Sequence, residues 1–508
     1  MIKKRSALFG LVYAFLAFII SRFPLFNYLG YEFSAAFTFI VPLTSGIMSF
    51  SILNESKYQP SASIQKEYGI SLSRSIKHHF VLLLIPLLVI TINAAVVKNC
   101  SYFEGLLFYL LLPCVTMIFC STLAGWCWVV FRQARLSYAL ILAIMLLHPI
   151  YIGFTTPQIY SYNFIYGFFP GFSYDEVLTI SPILILFRLI TLIVASLLLL
   201  IAYFILSYSK RSERVASKMF AFTNIVKLKT KNILIVILST ILVVVWFMRG
   251  SMGFESNTRL IQQALGAIYA TDHFSIFYSP KSFSQEEIRW AAAEHEFRYH
   301  QVETALQTHF SGKIDSYIYP DAETKRRYIG TGTTNIAKPW RKEIHLNKDS
   351  WESTLKHELV HVVAGEFGLP LIKIHYHTGL VEGIATAVDG DFGNRTLHEY
   401  AAAMIKFGLI KNTEHLVSPL GFILQSSSVS YTLMGSFCRF LLDRYGILRF
   451  KELYGGKSTD EVYGKSYVEL VDEWQHFLLR VEVPEQWREH AEFYFKRPSI
   501  FEIGRAHV

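Results

Sequence analysis

The chain has 508 residues, of which 52% are hydrophobic and only 17% charged, against roughly 25% charged in an average soluble domain. With a mean hydropathy of +0.34 and few Pro and Gly, it is neither disordered nor collagen-like, and it is too apolar to be wholly soluble. The formal charge of +9 lies entirely in the first half: residues 1–249 hold 20 Lys+Arg against 7 Asp+Glu, whereas 250–508 hold 28 against 32. The mildly acidic second half argues against a nucleic-acid partner.

Taken in chain order, six long apolar runs come first, at 33–53, 80–97, 106–130, 136–154, 189–206 and 233–248. Each is near the roughly 20 residues that cross a hydrocarbon core. A shorter run, 7–20, follows Met1-Ile-Lys-Lys-Arg5. It reads as a retained first span, because no small-residue cleavage site comes after it. Lys+Arg counts ahead of the seven successive spans alternate as 3, 1, 4, 1, 2, 0 and 7, the third being Lys57, Lys66, Arg74 and Lys77. Lys and Arg are retained on the cytoplasmic side, so the amino terminus is expected inside and residue 250 onward outside. Arg188 lies in the apolar stretch 183–206. The span is expected to begin after it, with the guanidinium snorkelling to the outer interface.

The loop at 155–178 is aromatic and carries Phe-Phe-Pro-Gly-Phe-Ser-Tyr-Asp-Glu176. Together with the span order it loosely resembles the permease half of some ABC-type transporters, including forms fused to a metallopeptidase. No phosphate-binding P-loop is present in the sequence, so any ATPase partner would be a separate chain.

Beyond residue 250 the apolar runs shorten. Residues 273–278, 314–319 and 343–347 read as strands and 284–309 as a long charged helix, which together imply an α+β domain. His345 alternates with Ile344 and Leu346 and is expected on a solvent face. Cys438 is the one cysteine of this half, so a metal there must rely on His and carboxylates. The expected organisation is therefore multidomain: an all-α polytopic membrane domain over 1–249, with about seven spans, and an α+β domain over 250–508.

His357-Glu-Leu-Val-His361 is the strongest signal. Asp349 or Ser350 can cap a helix there, with Glu352 three residues after Asp349, and Gly365 and Gly368 can stop it. On that helix the two imidazoles project from one face a turn apart, spaced to bind one Zn²⁺, and Glu358 lies alongside to act on a water. A catalytic zinc site usually has a third protein ligand. Glu382 sits 21 residues on, within Gly379-Leu-Val-Glu-Gly-Ile-Ala-Thr-Ala-Val388. A carboxylate in so apolar a helix needs a partner, and a metal supplies one. Gly383 and Ala385 are expected to let this helix pack closely on the first.

These residues resemble the gluzincin zinc metallopeptidases of the peptidase-MA-like group, whose third ligand often lies within Leu-x-Glu-Gly-x-Ala. The resemblance implies His357, His361 and Glu382 as ligands of one Zn²⁺ and Glu358 as general base. It extends to Ser430-Tyr431-Thr-Leu-Met-Gly-Ser-Phe437, which implies Tyr431 as oxyanion donor, and to the closing helices at 462–466 and 472–477. Where aminopeptidases of the group carry Gly-x-Met-Glu-Asn, this chain has Gly330-Thr-Gly-Thr-Thr-Asn-Ile-Ala337, which puts strict aminopeptidase activity in doubt. An extended segment there would still bind peptide by edge-strand addition. His375 and His377 line the cleft, orient Glu382 or form a polar turn. Asp389 and Asp391 either hold a ligand histidine or end the helix. The expected activity is peptide hydrolysis at the membrane, on a peptide or protein substrate. The alternative is a transporter-like membrane protein whose zinc-binding outer domain binds peptides without cleaving them.

Overall fold

The computed structural model describes residues 2–23, 25–56, 64–97, 99–171, 178–208, 230–390, 395–410, 422 and 427–496. Its contacts divide the chain into two compact units between Asn257 and Thr258.

The first unit is helical: α1 (Ile2–Ile20), α2 (Tyr31–Ser56), α3 (Ile64–Asn93), α4 (Tyr102–Tyr109), α5 (Val115–Val130), α6 (Ala134–Thr155), α7 (Pro182–Tyr208) and α8 (Thr230–Met248). Five helical stretches are long and apolar enough to cross a membrane: Tyr31–Glu55, Ile64–Asn93, Tyr102–Val130, Ala134–Thr155 and Pro182–Ser207. Arg5–Ile20 and Asn232–Met248 are apolar but shorter. Exposed side chains on these helices include Leu88, Ile144, Leu147, Val236 and Phe247, a surface suited to lipid rather than water. α3 begins at Ile64, well before its apolar run, so Lys66, Arg74 and Lys77 are helical and not in a loop. Helix propagation is cheap once an apolar half has nucleated it. At 30 residues it spans about 45 Å, longer than a core of about 30 Å.

Arg188 corrects the expectation made for it. It lies inside α7, only 1% exposed. A π-turn, Leu110–Cys114, containing Pro113, joins α4 to α5 and loosens the regular ladder. The Arg188 guanidinium donates to the carbonyls of Leu111 (2.6 Å), Leu112 (3.0 Å) and Phe164 (3.1 Å) and to the Thr116 hydroxyl (2.6 Å). Phe164 lies in the turn of a hairpin, β1 (Ser161–Asn163) with β2 (Gly167–Phe169), where the sequence reads as a plain loop. Gly167 has a φ of +75°, and a Cβ there would press on Leu112 and Arg188. Four satisfied donors, rather than an interface, hold the charge.

The second unit is α+β in content. Its elements run α9 (Thr258–Leu265), β3 (Ala267–Ala270), β4 (Phe274–Tyr278), α10 (Gln285–Leu306), β5 (Ile314–Tyr319), α11 (Ala322–Ile329), β6 (Ile336–Lys338), β7 (Glu343–Asn347), α12 (Trp351–Ala364), α13 (Thr378–Asp389) and α14 (Leu397–Lys406). There follow α15 (Ser427–Tyr445), α16 (Ile447–Tyr454), α17 (Thr459–Tyr463), α18 (Tyr467–Leu478) and α19 (Arg488–Phe495). The sheet order is β3-β4-β5-β7-β6. β4, β5 and β7 are parallel, and β3 and β6 are antiparallel at the edges. Ile276, Ile314, Ile318, Ile344 and Leu346 join Ile288, Tyr299, Leu355 and Leu359 in one core. A Ser284 capping box starts α10.

The other face of the sheet is buried too, which overturns the solvent-facing reading of His345. Its ring is 0% exposed and stacks on Tyr317 at 4.9 Å, and Tyr317 stacks on Phe277 at 4.9 Å. These three residues are direct neighbours across the parallel strands. Parallel sheets are covered on both faces, so alternation here separates two interiors. Glu343 shares that face, and both its oxygens accept from Arg341, at 2.7 and 2.8 Å.

Candidate metal centre

α12 forms because Leu355, Leu359 and Val362 recur at helical spacing and are buried. Its start differs from the expected capping box: Ser350 is the N-cap and makes no side-chain cap bond. Instead Asn335, from the segment before β6, ties it down. The Asn335 amide donates to Ser350 Oγ (2.9 Å) and Thr354 Oγ1 (2.6 Å). Its Oδ1 accepts from Lys325 Nζ (2.8 Å) and from the Asn347 backbone N–H (3.0 Å). All four hydrogen-bonding positions of this amide are used. Beyond the helix, a Cβ on Gly368 would lie 2.5 Å from the Lys373 carbonyl, so the chain can double back only on a glycine.

α13 carries Glu382 towards α12, but Gly383 faces elsewhere than expected. A Cβ on Gly383 would come 2.6 Å from Cys438 Sγ and 2.8 Å from the Met434 carbonyl, both on α15. Gly383 therefore serves the α13–α15 contact and not the packing of α13 on α12. α15 in turn carries Tyr431.

These elements bring His357, His361 and Glu382 together, with one ligand atom from each within 4.8 Å of the others. His357 Nε2 is 3.2 Å and His361 Nε2 3.5 Å from Glu382 Oε2. Glu358 is buried on the same helix turn. The Tyr431 ring lies 6.1 Å from that of His357 and 5.4 Å from that of Phe422. The three ligand side chains keep exposures of 18%, 9% and 19%, so the cluster is mostly buried yet not sealed from solvent.

The electrostatics favour a cation. Burial disfavours charge on His357, yet Glu382, Glu358 and Asp389 outweigh it and raise the imidazole to about 9. Burial also opposes charge on Glu382, but His361 and His357 hold its carboxyl well below the usual range. Burial raises Glu358, against the pull of both imidazoles. Two imidazole nitrogens converge on one carboxylate oxygen, an arrangement that Nε2–H donors satisfy and that a metal ion between them would satisfy equally. The donor set, two nitrogens and a carboxylate, is one that Zn²⁺ takes. The residues present fit that ion.

The remaining residues separate into neighbours and bystanders. His375 and His377 form the turn before α13: His375 Nδ1 accepts from the His377 N–H at 2.9 Å and the rings stack. Asp389 ends α13, its carbonyl accepting from Lys356 Nζ at 3.0 Å, and Asp391 lies outside the described residues. Gly330–Ala337 leads into β6, an edge strand. Two residues with structural roles here escape a reading of the sequence, Asn335 and Lys325. A second His/Glu group, His273 with Glu296 and His300, is signalled only by the four-residue spacing of Glu296 and His300. There Glu296 is engaged by the His273 ring at 2.6 Å and by its backbone N–H at 2.9 Å, two contacts that anchor the start of β4 to α10. Compared with protein-family models and with curated proteins, the chain matches none.

Proposed function

We propose that the chain is a membrane-anchored zinc metallopeptidase of the gluzincin type. The observation that supports it most is the convergence of His357, His361 and Glu382 from two helices onto one point, with the buried carboxyl of Glu358 beside them. A Zn²⁺ held by these three would supply Lewis acidity to a scissile carbonyl and to the attacking water. Glu358 takes the proton of that water and delivers it to the leaving amine, a task suited to a carboxyl whose pKa is raised. The Tyr431 hydroxyl donates to the oxyanion that develops on the carbonyl. An extended peptide adds to the β6 edge. In this reading the five long and two shorter apolar helices make seven spans, with the amino terminus cytoplasmic and the catalytic unit outside. The metal dependence is tested on the full chain in detergent. Stripping with a chelator is expected to abolish cleavage of a peptide library, and one equivalent of Zn²⁺ is expected to restore it. Cleavage that persists in metal-free protein contradicts the proposal.

A further inference from the structure

A second site lies in the helical unit. Lys66, Gly69, Ile70, Ser73, Arg74, Lys77 and His78 of α3, with Tyr203 of α7, enclose a cleft of about 580 Å³. That is within the roughly 300–1,000 Å³ of small-molecule sites. None of these described lining residues is acidic. The cleft is held open by defined contacts. Tyr203 sits over Gly69, where any Cβ would collide with its hydroxyl. The Gln65 amide donates to the Tyr203 carbonyl at 3.2 Å, and the Tyr203 ring meets Tyr68 edge-on at 5.5 Å. Three basic side chains, a histidine and two hydroxyls thus line one concavity, a donor set matched to phosphate oxygens.

The same helix face says what kind of phosphate fits. From Ile70 and Arg74 the face continues through Lys77 to Val81, Leu84, Leu88 and Ile92, a step of three or four residues each time. The last four are 61%, 45%, 61% and 63% exposed. The opposite face, with Tyr68, Leu72, His79, Leu82 and Leu83, is buried in the bundle. A basic cleft therefore runs directly into an unburied apolar stripe, the order in which a phospholipid presents its headgroup and then its acyl chains. A free phosphate would leave the stripe unused.

We infer that this cleft binds the phosphate of an anionic glycerophospholipid, whose acyl chains lie along the Val81–Ile92 stripe. Lys66, Arg74 and Lys77 provide the charge, and the Ser73 and Tyr203 hydroxyls provide neutral donors. The inference rests on the membrane reading of the first unit and is independent of the metal centre.

The test uses the full chain, purified in detergent and delipidated. Thermal unfolding is followed after adding phosphatidylglycerol, phosphatidylcholine or glycerol 3-phosphate, and the lipid retained after reconstitution in mixed vesicles is quantified. Phosphatidylglycerol is expected to be enriched over phosphatidylcholine on the order of tenfold or more and to raise the unfolding midpoint further. The variant K66Q/R74Q/K77Q is expected to lose that preference, and K66R/R74K/K77R to keep most of it. Should the triple Gln chain not fold, Lys77→Gln alone is expected to lower the enrichment part way. Equal retention of the two lipids, or a preference unchanged in the Gln variants, overturns the inference. Full protection by glycerol 3-phosphate overturns the lipid as occupant. A wild-type chain that does not enter vesicles contradicts the membrane reading instead.

Discussion

A carboxylate among small apolar residues has to be paired, and Glu382 is paired with two imidazoles that a four-residue spacing puts on one helix face. That logic makes His357, Glu358, His361 and Glu382 legible in the sequence. Tyr431 is legible only through resemblance, since a tyrosine near a helix start has no spacing rule of its own. Single residues also set the acid limit of the fold. His295 is fully buried between the Ala291 carbonyl (2.7 Å) and Ser316 Oγ (2.9 Å). Burial lowers its pKa to about 4, with the Ala291 carbonyl and Glu296 opposing. Below pH 6.5 the unfolded chain takes up a proton that the folded chain refuses. The stability this residue contributes is therefore full above pH 6.5 and is lost as pH falls towards 4, by about 3 kcal/mol at most. Denaturant unfolding of wild type and His295→Gln between pH 7 and pH 4.5 should show the steeper acid loss in wild type. Parallel slopes would contradict this.

Elements follow the sequence where one face meets the core and depart from it where a partner comes from far along the chain. β5 and β7 span 314–319 and 343–347, the runs expected from their composition. His345 departs from the expected solvent face because period-two alternation reads as inside and outside, whereas both sides of β7 are interior. Arg188 departs from the hydropathy reading because three of its four acceptors are carbonyls of a π-turn and a hairpin that hydropathy does not register. The start of α12 depends on Asn335, which binds groups from four separate positions. Asn335→Ala removes one acceptor of the buried Lys325 ammonium, which keeps the Thr334 carbonyl at 2.6 Å, and the side-chain acceptor of the Asn347 N–H. It should destabilise the fold by roughly 3 kcal/mol and weaken metal binding, because the helix that carries His357 loses its anchor. Differential scanning fluorimetry with and without Zn²⁺ measures both. A midpoint within about 1 °C of wild type would mean that the Asn335 network contributes little.

At the scale of the whole molecule, the charge division and the two compact units describe the same chain from different directions. The excess of basic over acidic residues lies in the helical unit, with several of its Lys and Arg on α3, and the slight acidic excess lies in the unit with the His/Glu centre. With seven spans, a reporter enzyme active only outside the cytoplasm and fused after residue 250 should be active, and a fusion after residue 225 inactive. The reverse pattern would place the metal centre in the cytoplasm. The central claim, a peptidase whose base is Glu358, is tested most directly by one paired measurement. Metal content and peptide hydrolysis are determined together for the wild-type full chain and for Glu358→Gln. The account predicts one zinc per chain in both and a loss of about 10²–10⁴-fold in kcat in the variant. Undiminished hydrolysis by Glu358→Gln, or a wild-type chain that binds zinc and cleaves no peptide, would contradict it.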